Sequence, residues 1–273
     1  MSAPLTHQRL DPNTWGRAVL RGAKSWWHLV HFGAIVMVLA LSPSTYNRAN
    51  RATTAKHIYA STWQVLPWFT AMAALLSLVL IRIVVVSAQS YGLSQFALEM
   101  VVRVLVLELI PLSAAMFVAL RAGLAFSAGG ATTTHLPKEE GVKSLEEASG
   151  LTLTRLRREW VPRVMAEAFA VMTLATVSSV IALVLCYLTV YGLSPWGLPG
   201  YTRTVGHVFD LAVTLGFGLK TVFFSLAVAV VPLAASLETP RARADDNAVQ
   251  PGAVRLFLVL LLIEAASLVV KYI

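Results

Sequence analysis

The sequence predicts an all-α integral membrane protein with five transmembrane helices and, ahead of them, an interfacial or re-entrant helix. Three observations carry that prediction. Of the 273 residues, 57% are hydrophobic and only 13% are charged, against about 25% charged in ordinary soluble domains. Five apolar runs are each about 20 residues or longer, the length that crosses the hydrocarbon layer at 1.5 Å per residue. The basic residues behind a net charge of +8 collect in the polar segments between those runs. That is the pattern of orientation signals, and no nucleic-acid motif accompanies it.

Residues 1–56 read as an N-terminal interfacial helix and connector, and residues 57–273 as the transmembrane domain. Arg17, Arg21, Lys24, His28 and His31 recur at alternating steps of four and three, on one helical face. Trp15, Val19, Gly22, Trp26, Val30 and Gly33 follow the opposite face, with Trp27 beside it. A basic stripe opposite a tryptophan-rich stripe suits a helix lying among anionic headgroups. Trp15, Arg17, Arg21, Lys24, Trp26 and Trp27 are therefore the candidate interface residues; an ordinary amphipathic packing helix is the plainer alternative. The apolar continuation stops at Ser42-Pro43, well short of a full crossing. It starts late and lacks a small-residue cleavage site, so a cleaved secretory signal is not expected.

The first span is expected over residues 63–87, with Trp63 and Trp68 at interface-like positions. Arg82, near its far end, snorkels outward and needs no transport role. A polar break at 88–94 precedes the second span, 95–127, which would reach about 50 Å and must protrude, tilt or bend. Pro111 gives a reason to bend, because its nitrogen has no hydrogen for the carbonyl of Leu107. The third span covers 164–191. Residues 192–206, with Pro195 and Pro199, read as a turn-rich loop. The fourth span is expected over 207–237 and the fifth over 253–272.

Five spans put alternate segments on opposite sides. Arg48, Arg51 and Lys56 precede the first span, Lys138, Lys143, Arg155, Arg157, Arg158 and Arg163 follow the second, and Arg241 and Arg243 follow the fourth. The other side carries only Arg203 and Lys271. The charge asymmetry therefore predicts a cytoplasmic N-terminus and an external C-terminus.

Three runs contain an ionisable residue far from their ends: Glu108, Lys220 and Glu264. A charge at the bilayer centre costs about 2.5–3.5 kcal/mol or more, so each implies a partner or a water-filled cavity. Glu108 lies thirteen residues past Gln95 and Lys220 thirteen past His207. In parallel spans this puts both about 20 Å from the outer end. Glu264, eleven residues past Ala253 in an antiparallel span, lies about 17 Å from the cytoplasmic end. Lys220 is thus expected to face Glu108, Glu264 or both, either lining a cavity or locking helices together. Glu99 with Arg103 and Arg163 with Glu167 have the (i, i+4) spacing of local pairs.

The chain has no Walker A sequence, no metal-ligand cluster and no nucleophile beside a base. Catalysis, a metal and a bound cofactor are accordingly not expected of it. Its one cysteine, Cys186, reads as a small buried side chain.

Glu108, Leu109, Pro111, Arg121 and Gly123 fall in the order and spacing of the Glu-Leu-Gly-Pro…Arg-x-Gly segment of MlaE-type permeases, a family the chain resembles. His57-Ile58-Tyr59 looks like the family's Gln-Ile-Tyr before its first span, and Gln89 like the glutamine that ends it. Leu156-Arg157-Arg158 and Pro162-Arg163 are similar to its Leu-Arg-Arg…Pro-Arg element, and Lys220 with Val222-Phe223 to its Lys-Ser-Val-Phe. Glu264 falls where the family has an acid in its last span. The chain departs from the pattern at Ala128-Gly129-Gly130, where a glutamate is missing, and at Thr154-Arg155, which stands for Asp-Pro. A glycine-rich element is also missing at Pro251-Gly252-Ala253-Val254-Arg255.

The resemblance implies the membrane subunit of a bacterial inner-membrane ABC transporter for phospholipids or related lipids. It further implies dimerisation with a second copy or a paralogue, and a cytoplasmic ATPase that binds the ATP and magnesium. A periplasmic MCE-domain protein would carry the lipid. Glu108, Pro111, Lys220 and Glu264 would border the lipid cavity. Residues 131–160, with Glu139, Glu140, Glu146, Glu147, Arg155, Arg157 and Arg158, would meet the ATPase. The departures favour one alternative, a non-transporting scaffold of such a complex, and the buried carboxylates allow a second, a small ion-coupled carrier that uses them for proton coupling.

Overall fold

The computed structural model describes residues 54–130, 161–238 and 251–272, with His31, Gly33, Ala34 and Val38 as isolated positions. The candidate interface residues Trp15, Arg17, Arg21, Lys24, Trp26 and Trp27 lie outside them, as does the segment 131–160 with its acids and arginines.

Helices α1 (Leu66–Ser90), α2 (Ser94–Val101), α3 (Ile110–Gly130), α4 (Val161–Tyr191), α5 (Leu198–Val208), α6 (Leu211–Glu238) and α7 (Pro251–Tyr272) form most of the described chain. Two π-helical stretches, Tyr59–Trp63 before α1 and Val102–Leu109 between α2 and α3, and a 3-10 turn at Pro195–Gly197 join them. No strand occurs among the described residues. Five helical stretches are long and apolar enough to cross a membrane: Thr54–Ser90, Phe96–Ala122, Val161–Tyr191, Leu211–Pro232 and Gly252–Lys271. The five-span, all-α architecture expected from the sequence is the one observed.

Both α1 and α4 end on a glycine in the left-handed region, Gly92 at φ 70° and Gly192 at φ 67°. After α1 the Leu93 N–H returns to the Ala88 carbonyl at 2.8 Å, and after α4 the Gly192 N–H reaches Leu188 at 3.0 Å. These bonds satisfy carbonyls that a helix end leaves open. Nothing lies within 4 Å of where a Cβ would stand at either position. The backbone angle, rather than crowding, is what favours glycine there.

Residues 192–206 are not the loop that their prolines suggest. Pro195 opens the 3-10 turn and Pro199 sits in the first turn of α5, where a missing N–H costs no helical hydrogen bond. The fourth crossing consequently starts at Leu211 and not near His207. Asp210 caps it, its Oδ1 accepting the Val213 N–H at 2.7 Å. The Tyr201 hydroxyl ties α5 to α4 by donating to the Leu183 carbonyl at 2.7 Å. Burial, helped by the neighbouring Cys186, pushes that phenol well above its ordinary range, so it keeps its proton for the bond.

Helix α4 is the hub. It packs against α1, α3 and α6, while α7 lies on α6 and α3. Ala114, Ala115, Ala170, Ala175 and Ala182 are essentially inaccessible, and such small side chains let helix backbones approach closely within a membrane. One apolar cluster gathers Phe69, Val118, Leu174, Phe224, Val228 and Leu260. A second gathers Ile81, Val85, Val102, Val106, Cys186 and Val208. Met72, Leu75, Leu76, Val79, Ile83 and Val86 of α1 face outward, as they would where lipid supplies the apolar surroundings.

Candidate functional site

Lys220 stands between the two apolar clusters along α6, three residues after Phe217 of the second and four before Phe224 of the first. It is only 4% exposed. Its ammonium pairs with Glu108 Oε2 and lies 2.7 Å from Glu264 Oε2. The Phe224 ring centroid is 5.6 Å from Nζ, within reach of a cation–π contact. Lys271 of α7 completes the group, its Nζ 2.9 Å from Glu108 Oε1. Two carboxylates and two ammoniums thus bind the π-helical stretch, α6 and α7 into one neutral but strongly polar cluster.

The local backbone explains why Glu108 and Lys220 meet. An α-helix would pair the Leu107 carbonyl with the N–H of residue 111, and Pro111 has none to give. Lys220 Nζ lies 3.4 Å from that carbonyl oxygen and donates to it. The bend expected at Pro111 takes the form of a π-helical stretch before it, Val102–Leu109. The wider i→i+5 turn spreads the mismatch over two turns. Pro111 therefore contributes through the carbonyl it leaves open. Glu108 and Glu264 each keep 14% of their side-chain surface and Lys271 keeps 15%, so the cluster is not completely enclosed by the described residues.

Among the described residues, the structure brings Glu108, Lys220 and Glu264 together and puts Pro111 one turn from Glu108. Lys271, which counts in the sequence only as an orientation charge near the end of the last span, is a further member of the cluster. A usable signal was present: Lys271 is seven residues after Glu264, two turns along the same helical face. The equal offsets of Glu108 and Lys220 also change, to fourteen residues past Ser94 and nine past Leu211. The contact survives because the helices it joins are held by packing rather than by matched ends.

A second set of contacts ties together the helices that flank segment 131–160. Arg121 of α3 donates to the Ala60 carbonyl at 2.9 Å and to Ser61 at 3.3 Å. It thus reaches backbone oxygens of the stretch that precedes α1. Ser61 in turn donates to the Ala166 carbonyl of α4 at 3.3 Å. Arg163 and Glu167 pair one turn apart at 3.3 Å, and Arg103 and Glu99 do so at 2.9 Å.

A five-span helical bundle with paired charges buried between its crossings has the build of a transporter's membrane subunit. The family model described as Permease MlaE matches residues 54–270, and the chain belongs to that family. It is a membrane permease subunit, a transport component rather than a catalytic enzyme. No curated protein matches the chain.

Proposed function

We propose that the chain is the permease subunit of an ABC transporter that moves phospholipids or related lipids between the bacterial inner membrane and a periplasmic MCE-type carrier. A separate cytoplasmic ATPase supplies the energy. The observation that carries this reading is the partly exposed charge cluster of Glu108, Lys220, Glu264 and Lys271 in a chain of the Permease MlaE family. A zwitterionic headgroup has complementary charges to offer, a phosphate for the lysines and an ammonium for the glutamates. Apolar walls from α3, α6 and α7 would hold the acyl chains.

Two copies, or this chain and a paralogue, pair side by side in the membrane. The ATPase docks on residues 131–160 through Glu139, Glu140, Glu146, Glu147, Arg155, Arg157 and Arg158, and binds ATP and magnesium itself. Closure of the ATPases displaces that segment. The displacement passes into α3 and α4 and, through Arg121 and Ser61, into the start of the first crossing. The N-terminus lies in the cytoplasm and the C-terminus in the periplasm, in keeping with the charge asymmetry of the loops. Trp15, Arg17, Arg21, Lys24, Trp26 and Trp27 rest at the membrane surface.

Purification of the tagged chain from its native membrane in mild detergent, with mass spectrometry of proteins and lipids, tests this assignment. An ATPase, an MCE-domain protein and bound phospholipid are expected. Partners without an ATPase would point instead to a scaffold, and the chain alone to an ion-coupled carrier.

A further inference from the structure

We propose that the groove between α1 and α4 at Arg82 binds the phosphate of a phospholipid from the adjoining leaflet, at a site separate from the buried charge cluster. The membrane-crossing stretches contain five arginines, Arg82, Arg103, Arg121, Arg163 and Arg255. Arg103, Arg121, Arg163 and Arg255 all have partners within the protein. Arg82 has no hydrogen bond or ion pair among the described residues. It is exposed on α1, eight residues before Ser90, so its Cα lies about 12 Å below the helix end. From that depth an extended arginine carries its guanidinium up toward the phosphate layer while its stem stays in hydrocarbon.

The surroundings match a lipid in order as well as in charge. Leu78, Arg82, Leu188 and Thr189 line an open groove of about 350 Å³. Leu78 lies one turn below Arg82 and supplies an apolar floor. Leu188 and Thr189 come from the last turn of α4 and form the lip. Thr189 donates its own hydroxyl to the Leu185 carbonyl at 2.7 Å, which leaves Arg82 as the donor that faces the groove. The volume is at the small end for ligand sites, enough for a phosphodiester and the start of an acyl chain. The planar guanidinium presents paired N–H groups to two phosphate oxygens at once. Tyr91 and Trp196, 82% and 91% exposed at the same end, have the positions of interface aromatics.

The test uses the full chain in phosphatidylcholine nanodiscs. These are doped with a phosphatidylcholine that carries a diazirine beside the glycerol, or with a diacylglycerol that carries the same group. Photolabelling of the peptide containing Leu188 and Thr189 by the phospholipid is expected, falling about fivefold or more in Arg82→Gln and largely kept in Arg82→Lys. Diacylglycerol labelling should be equal in all three, and excess inorganic phosphate should not compete. Because Arg82 has no hydrogen bond or ion pair among the described residues, its variants are expected to fold, and matched melting curves check this. Labelling that Arg82→Gln leaves unchanged, or that inorganic phosphate abolishes, would overturn the proposal. So would capture of a protein instead of a lipid by a photo-crosslinker at position 82 in native membranes.

Discussion

Lys271 Nζ lies 2.9 Å from Glu108 Oε1, joining the last helix to a π-helical stretch 163 residues earlier in the chain. With that contact, each oxygen of Glu108 faces a different ammonium. Lys220 serves two carboxylates in a more buried position, so the two lysines are not equivalent.

Replacing Lys220 leaves two acids without their shared cation. Lys220→Met should cost about 3–5 kcal/mol, read as a lower melting temperature in detergent. Lys271→Met should cost less, because Lys271 is less buried than Lys220. Combining Lys220→Met with Glu264→Gln should recover part of the loss, a coupling of about 0.5–3 kcal/mol. Additive losses in the double variant would show that the two side chains do not act as a pair.

Pro111→Ala returns an N–H that competes with Lys220 for the Leu107 carbonyl. The π-helical stretch should then relax toward α, turning residues before the site by up to about 100° relative to α3. Crosslinking by a short bismaleimide, which can span a lysine–glutamate separation, between cysteines introduced as Glu108→Cys and Lys271→Cys reports on this. The yield should fall when Pro111→Ala is added, and an unchanged yield would mean that the proline does not set the geometry.

Arg121→Lys keeps the charge but cannot reach two adjacent carbonyls with a planar fork. A loss of about 1–3 kcal/mol is expected. Hydrogen exchange should quicken at Tyr59–Trp63 and be little changed in α7. If α7 exchange rises equally, the contact supports the whole bundle and not the junction beside segment 131–160.

Asp210→Ala removes the cap of α6 and should cost about 1 kcal/mol, whereas Asp210→Asn should retain most of the stability. Exchange at Val213 measures the difference directly, since its N–H is the one that Asp210 accepts.

The crossings were legible because apolar runs of membrane length leave few alternatives, and the mid-run charges marked the helices that had to meet. Partner choice was less legible. Lys271 carries a signal at (i, i+7) from Glu264, but a lysine at a span end also suits an interface anchor. Pro111 announced a lost hydrogen bond without saying whether the helix would kink or widen. Pro195 and Pro199 are turn residues and first-turn residues alike, so α5 was hidden in an apparent loop. The start of α6 followed from the Asp210 cap, a local signal that hydropathy does not register.

The proposed function requires ATP-driven lipid movement through a site that includes Glu108. The most direct measurement is transfer of a fluorescent phospholipid out of liposomes containing the chain with its co-purified partners, with and without ATP. Wild-type complex should transfer lipid only with ATP, and Glu108→Gln should lower the rate about tenfold, an effect of roughly 1.4 kcal/mol, in complexes of unchanged composition. Equal transfer without ATP, or an unaltered rate in Glu108→Gln, would contradict it.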